Sequence, residues 1–409
     1  MLILGLTCMV GCGIVTCLLF RINDTFACII ICGMFATFPM LFEIFSYPSI
    51  RFFVPLAALL AMFGVLVSGN ILGAIFVFLA LNIYQSSVYL FIIMTVYASA
   101  VRFNNGGGVV AVARSFILPR IARVLAGGIA YAALYFFLAR IVNLGGMGGE
   151  RLSSFVMYSS DIKEAISTAV LIFTATLQLF TSDWLFFPAV SKYIFLFITI
   201  ILLGTLAIRR NMIGLCLVLI APLFIFGAAW IMYPANKMLQ ERILFSFVGV
   251  YAGTFAVAWV SVQKYRGILS ILGIFLVIIF AYQANVWHLY MDLRNRADLD
   301  LTRSIADEIK SSPDFKPGLP LVVVGVLQDR NYLPYRVFNL QRGKIGNTML
   351  ASMYTAPWSA DRALMFFVDF RRPSPAETSA ATTAAQNMPI WPATGSVGIQ
   401  DNTIVIRLK

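Results

Sequence analysis

Leu81-Asn82-Ile83-Tyr84-Gln85-Ser86-Ser87 lies in the middle of residues 71–101, a run of 31 positions otherwise dominated by apolar side chains. A bilayer-spanning helix takes about 20 apolar residues, so this run is too long for one ordinary helix. Divided at its polar centre, it gives two short helices meeting at a break. Irregular backbone at that depth is tolerated only where it is lined by protein or water. The stretch therefore predicts a helical membrane bundle with a polar notch in it.

Working outward toward the N-terminus, residues 2–20, 25–44 and 52–69 are apolar runs of spanning length, with Arg21-Ile22-Asn23-Asp24 as a tight loop between the first two. Residues 2–20 have no basic n-region and no A-x-A cleavage site, so they read as a span and not as a signal peptide. The second run ends in Phe38-Pro39-Met40-Leu41-Phe42-Glu43-Ile44-Phe45-Ser46-Tyr47-Pro48. Glu43 thus falls at the end of a long apolar run, where a carboxylate is costly unless it faces water. Such a residue is a site candidate; the plainer reading is a solvated glutamate at a helix end.

Toward the C-terminus, residues 102–123 hold Arg102, Arg114, Arg120 and Arg123 with no acid, and Gly106-Gly107-Gly108 interrupts the helix. This is the strongest cytoplasmic marker in the chain. Residues 122–142 then cross outward into a polar, glycine-rich loop, 143–165. Its GGxGG spacing at 145–149 is no phosphate-binding signature, since no strand precedes it and no Lys-Ser/Thr follows. Residues 166–181 form a weak segment that spans or re-enters. Further spans are expected at 193–208, 211–232, 243–262 and 267–285. Arg209-Arg210 and Lys264-Tyr265-Arg266, between them, read as cytoplasmic. The fold class is an α-helical polytopic membrane protein of about ten or eleven segments, carrying a small C-terminal α/β extracytoplasmic domain. The expected domains are 1–285 and 286–409.

Composition agrees. Of 409 residues 60% are hydrophobic and 12% charged, where soluble domains run at about 45–50% and 25%. Mean hydropathy is +0.87. The net charge of +12 divides into 16 Lys+Arg against 7 Asp+Glu before residue 286, and 14 against 11 after it. Basic residues flanking spans suit contact with anionic lipid heads. They are scattered and form no aromatic-interleaved patch, which argues against nucleic acid. The six cysteines all lie in apolar runs, none beyond Cys216. They read as small buried hydrophobes, without a disulfide framework or a metal site.

The tail reads as a helix from Asn285 to Ser311, then strands at 321–324, 363–368 and 403–406, with the proline-bearing stretch 373–393 as a loop. His288, the only histidine, sits beside Trp287 at the helix exit, where a place in the interfacial aromatic belt is expected.

This placement gathers Glu43, Glu150, Asp161, Glu164, Asp183 and Glu241 on the outer face and leaves Asp24 alone on the inner one. Acids do little to set orientation, so a reaction centre on the outer face is one explanation and ordinary loop solvation the other. There is no Walker loop, HExxH, GxSxG or cofactor motif, so neither a cofactor nor a metal is expected. Glu43 and Asp183 are the candidate catalytic carboxylates, able to deprotonate an attacking hydroxyl. Arg151, Lys237 and Arg242 can hold phosphate oxygens, with Glu241 beside them. Tyr47, Tyr84, Gln85 and Trp184 offer flat or hydrogen-bonding faces to a sugar ring or prenyl chain. The set suits sugar transfer from a lipid-linked phosphate donor.

The order of these features resembles the serotype-converting O-antigen glucosyltransferases, polytopic enzymes of the GT-C class. The matching residues begin with Phe38-Pro39…Glu43-x-Phe45-Ser46-Tyr47 and Asn82-Ile83-Tyr84-Gln85-Ser86. Glu241-Arg242-Ile243-Leu244 and Ala281-Tyr282-Gln283-Ala284-Asn285 match in later spans. In the tail the matches are Asp300…Ile305-Ala306…Ile309…Val322-Val323-Val324-Gly325 and Trp391-Pro392-Ala393-Thr394-Gly395-Ser396. The resemblance implies transfer of glucose from undecaprenyl-phosphate-glucose to lipid-linked O-antigen, on the periplasmic face of a bacterial inner membrane. It also implies an acid-bearing outer loop after a first span, which this chain is expected to lack, since residue 1 resembles the start of the second span. A transporter or flippase of lipid-linked sugars and an O-antigen polymerase are the alternatives. The absence of an internal repeat weighs against transport.

Overall fold

The protein is described by a computed structural model that covers residues 1–46, 50–141, 167, 170, 173–174, 189–225, 245–327, 354 and 360–408, without the side chains of Phe42, Glu43, Ser46 and residues 139–141. The chain is mostly helical with one small sheet, and it forms two compact units, Met1–Asn285 and Val286–Lys409.

The helices of the first unit are α1 (Leu2–Phe20), α2 (Thr25–Thr37), α3 (Leu41–Ser46), α4 (Phe53–Leu66), α5 (Asn70–Ile83) and α6 (Ser87–Asn104). They continue as α7 (Val109–Val112), a π-turn at Ala113–Ile117 and α8 (Leu118–Ile141). After these come α9 (Ala189–Ile208), α10 (Met212–Ile220), α11 (Val248–Ser261) and α12 (Arg266–Ser311), with the division between units inside α12. Among the described residues, five helices are long and apolar enough to cross a membrane, and five shorter apolar helices accompany them. Their outer faces stay apolar: Ile71, Ile129 and Ile208 are 80%, 69% and 85% exposed. Contiguous exposed hydrocarbon of this kind marks a lipid-facing surface.

Local chemistry sets the helix ends. Arg21 closes α1 in the left-handed region, with φ 54°. Asp24 then opens α2 by accepting from the Ala27 N–H at 2.9 Å, a standard N-cap. The run 71–101 divides at Tyr84–Ser86 into α5 and α6, as its polar centre predicts. Two expectations change. The span expected over 25–44 stops at Thr37, because Pro39 disfavours helix at the residue before it, and a short α3 follows. The helix expected over 122–142 begins earlier: after residues 105–108 the chain is helical again from Val109.

Of the four arginines in residues 102–123, Arg120 and Arg123 are buried. Arg123 lies across the C-terminal end of α4. Its Nη1 donates to the carbonyls of Gly64 and Val67 at 2.9 and 2.8 Å, and its Nη2 to that of Ser68 at 2.9 Å. Nε and Nη2 also reach Asn70 Oδ1 at 3.3 and 3.2 Å. A cation is favourable where orphan carbonyls end a helix. Gly73 lets the guanidinium in: a Cβ there would lie 2.5 Å from Arg123 Cδ. Arg120 donates to the carbonyls of Val65 and Phe116 at 2.8 and 3.0 Å. Its guanidinium also covers one side of the Phe116 ring at 3.4 Å.

The α6–α11 contact depends on Gly253, where a Cβ would stand 2.4 Å from the Tyr97 ring. Close approach through small residues is a common basis of helix association in membranes. Beside it, the Tyr97 and Thr254 hydroxyls share a buried hydrogen bond of 2.8 Å. All six cysteines are free, with Cys8, Cys12 and Cys17 buried.

In the second unit, β1 (Leu319–Val324), β2 (Phe370–Arg371), β3 (Val397–Gln400) and β4 (Thr403–Arg407) form a sheet of order β2-β1-β4-β3. β1 runs parallel to β2 and β4, and β3 antiparallel to β4. Asp401 and Asn402, both at positive φ, make the β3–β4 turn, as two-residue hairpins require. Leu321, Ile404 and Ile406 face Ile305 and Ile309 on one side. Val322 and Val405 face Ala381, Ala385 and Met388 on the other. Burial on both faces explains the continuous apolar run of β1.

Two tail expectations are overturned. Residues 363–368 form no strand: α13 (Ala360–Leu364) and a turn occupy them, with Phe366 81% exposed. The stretch 373–393 contains α14 (Pro375–Ala385), opened by a capping box in which Ser374 and Glu377 bond each other's backbone N–H.

Candidate active site at the polar break

The break forms because polar side chains take over helix ends. The Asn82 amide donates back to the Phe78 carbonyl at 2.8 Å. Tyr84 turns to extended backbone, φ −158° and ψ 108°. The Ser87 hydroxyl donates to the Tyr84 carbonyl at 2.7 Å and starts α6. Gln85 projects across to α8, where its Nε2 donates to the Tyr131 hydroxyl at 2.8 Å.

Two rings tie this break to other parts of the bundle. The Tyr84 ring lies 5.9 Å from Phe245. Two residues on, Phe247 lies 6.3 Å from Phe38, in edge-on contact. Phe38 also meets Tyr251 at 6.0 Å and Phe280 at 5.5 Å. Tyr251 in turn packs on Phe195 at 4.3 Å. This buried aromatic nest joins α9, α11 and α12 to the residue just before Pro39. It ties the lead into α3 to the start of α11, and the Tyr84 ring of the break meets the same segment two residues earlier, at Phe245.

Of the candidate site residues, Tyr84 and Gln85 are placed fully, and Glu43 by its backbone in α3, whose Leu41 and Ile44 are buried. Tyr47, Arg151, Asp183, Trp184, Lys237, Glu241 and Arg242 lie outside the described residues. Sequence reasoning missed Tyr131 and the nest. Phe247 and Tyr251, four apart on one helical face, carried a signal for it; the Gln85–Tyr131 pair spans 46 residues and carried none.

A family model described as Glucosyl transferase GtrII matches residues 2–258, well over half of the chain. The chain belongs to this glucosyltransferase family. The GtrII match runs from α1 into α11 and includes both the break and α3; the Val286–Lys409 unit lies beyond it. Membership makes the protein a glycosyltransferase, acting with a sugar donor and an acceptor, and its apolar helices mark it as a membrane protein. Searches among curated proteins and among solved structures each return no match.

Proposed function

We propose that this protein transfers glucose from undecaprenyl-phosphate-glucose to a lipid-linked O-antigen or related surface polysaccharide, on the periplasmic face of a bacterial inner membrane. The observation that carries the reading is the GtrII match over the bundle that holds the polar break. In the reaction, the bond between glucose C1 and the phosphate oxygen breaks and a bond from C1 to an acceptor hydroxyl oxygen forms. Undecaprenyl phosphate leaves. Glu43 or Asp183 takes the hydroxyl proton as general base. Arg151, Lys237 and Arg242 hold the phosphate, and Glu241 holds sugar hydroxyls. Tyr47, Tyr84, Gln85 and Trp184 bound the glucose and the prenyl chain. The Val286–Lys409 unit stands in the periplasm. Contact of Phe38, just before α3, and of Tyr84, at the break, with rings two residues apart, Phe247 and Phe245, supports grouping these residues.

The test is transfer of radiolabelled glucose from undecaprenyl-phosphate-glucose to lipid-linked acceptor, in membranes holding the full chain or its Glu43→Gln and Asp183→Asn forms. The expected result is a fall of about 100-fold or more for the true base. Undiminished transfer by both variants overturns these two assignments. A reporter fused after Lys409 and found in the cytosol overturns the sidedness.

A further inference from the structure

At the other ends of α2 and α6, away from the break, the chain forms a cavity of about 840 Å³. Three guanidinium side chains line it: Arg21 from the α1–α2 loop, Arg102 from the end of α6, and Arg266 from the start of α12. Asn23, Asn105 and Gln263 add amides, Ser115 a hydroxyl, and Asp24 the only carboxylate. The volume lies within the range of ligand pockets, about 300–1,000 Å³.

Each arginine is held in a way that leaves donors unused. The Arg102 guanidinium carbon sits over the Phe116 ring, 3.6 Å from its centroid, a contact that uses none of its N–H groups. Arg266 donates Nε to the Trp259 carbonyl at 3.3 Å, which leaves both Nη groups. Arg21 is anchored by its left-handed backbone at the end of α1. Asp24 is engaged as the α2 cap. Among the described residues none of the three arginines forms an ion pair. Arg120 and Arg123, nearby in sequence, use their Nη donors on backbone carbonyls and, for Arg123, on Asn70 Oδ1. The cavity arginines do not, and three like charges facing one concavity repel unless an anion sits among them. Planar forks suit phosphate oxygens in particular.

We infer that this cavity is a phosphate-binding site, separate from the sugar-transfer centre and at the opposite end of the bundle. α6, with Tyr84-Gln85 just before its start and Arg102 near its end, is 18 residues long. That places the two sites about 27 Å apart along its axis, close to the thickness of the hydrocarbon core. The ligand is a phosphate ester or inorganic phosphate, and two sources share that chemistry: an anionic lipid headgroup, or a phosphate from solution.

The experiment uses full-length protein purified in neutral detergent and measures saturable binding of radiolabelled inorganic phosphate and, separately, of phosphatidylglycerol in mixed micelles. An Arg21→Asn, Arg266→Gln double variant is compared with wild type; Arg209→Gln, an exposed arginine outside the cavity, is the control. A third variant, Asn105→Asp, places a carboxylate in the lining while keeping every arginine, and so tests the site even where the double variant does not fold. The expected result is saturable binding of at least one ligand, weakened at least tenfold by the double variant and by Asn105→Asp and unchanged in the control. Binding of phosphatidylglycerol alone identifies a lipid headgroup; binding of inorganic phosphate alone identifies a soluble ligand. Binding of neither, or binding indifferent to these substitutions, overturns the inference. Sugar transfer by the wild type is assayed on the same preparation, so failure of this site and failure of the proposed activity are read separately.

Discussion

The best-held arginines of the two units differ in what holds them. Among the described residues of the helical unit, no arginine pairs with a carboxylate; Arg120 and Arg123 are held by backbone carbonyls and a phenyl ring. In the C-terminal unit, Arg296 pairs with Asp292 at 2.9 Å and Arg371 with Glu377 at 2.5 Å, all in contact with water. The difference follows from supply. Residues 102–123, which carry Arg120 and Arg123, contain no acid, but a bundle of short helices is rich in carbonyls that end a helix without a partner. A guanidinium with five donors can satisfy several of them at once. An acidic partner would be removable by acid and weakened by salt; a carbonyl is neither. Arg120 and Arg123 therefore stabilise the bundle independently of pH and the ion pairs of Arg296 and Arg371 do not, while Arg407, which donates to the carbonyls of Gln386 and Met388, sides with the bundle's pair.

The sharpest way to break this contrast is Arg123→Leu. It leaves the buried carbonyl of Gly64 and the partly buried carbonyls of Val67 and Ser68 without their donor, at a cost of roughly 3 kcal/mol. The expected outcome is a large fall in the thermal midpoint of the detergent-solubilised protein, of equal size in low and high salt. Arg123→Lys, with a compact ammonium in place of the fork, falls between. A loss that shrinks in high salt would mean that an acid partner, and not the carbonyls, does the holding.

Next in size is Gln85→Ala at the break. Losing the bond to Tyr131 is expected to lower glucose transfer about tenfold, equivalent to about 1.4 kcal/mol in the barrier, while the thermal midpoint moves little, since both side chains are accessible. A transfer rate that holds while stability drops would make Gln85 a brace for α8 and remove it from the substrate site. A smaller effect is expected of Tyr97→Phe, which strands the Thr254 hydroxyl between α6 and α11. Side-chain hydrogen bonds between membrane helices are worth about 0.6 kcal/mol on average. Tyr97→Phe combined with Thr254→Val is expected to recover part of that loss.

The sequence made some of this readable and hid the rest for physical reasons. Asn82 to Ser87 announced the break because no other reading suits polar residues in mid-run. Asp401-Asn402 likewise suits the left-handed turn it makes. Pro39 carried a helix-stop signal that hydropathy across 25–44 concealed. Ser374-Pro375-Ala376-Glu377 spelled a capping box with proline at the first helical position, but four prolines over 373–393 suggested a loop. Residues 363–368 are strand-like in composition, and only their tertiary setting makes them a helix and turn. Arg120 and Arg123 looked like topology markers. Apart from Phe116, their carbonyl partners lie 55–59 residues away, where no local pattern points to them. At the candidate site, Tyr84 and Gln85 were legible as polar residues in an apolar run; of the nest around Phe38 only the Phe247–Tyr251 spacing carried a signal, since its other rings look like any others in a chain with 35 phenylalanines.

The mildest prediction concerns the tail and tests the other half of the contrast. Arg371, the Ser374 N–H and the Ser374 hydroxyl together hold the Glu377 carboxyl well below its ordinary range, at about 2. A group whose pKa is lower in the folded than in the unfolded state binds fewer protons when folded, so it stabilises the fold above its unfolded value, about 4.3. That contribution fades as pH falls from there and is gone below about 2. Glu377→Gln should therefore lower the melting temperature of the C-terminal unit, followed in the full chain, slightly at neutral pH, and should match the wild type near pH 2. High salt should narrow the neutral-pH gap, because the pair is open to solvent. The difference between Arg123→Leu and its parent should persist over the same range wherever the bundle stays folded, since a backbone carbonyl has no proton to gain.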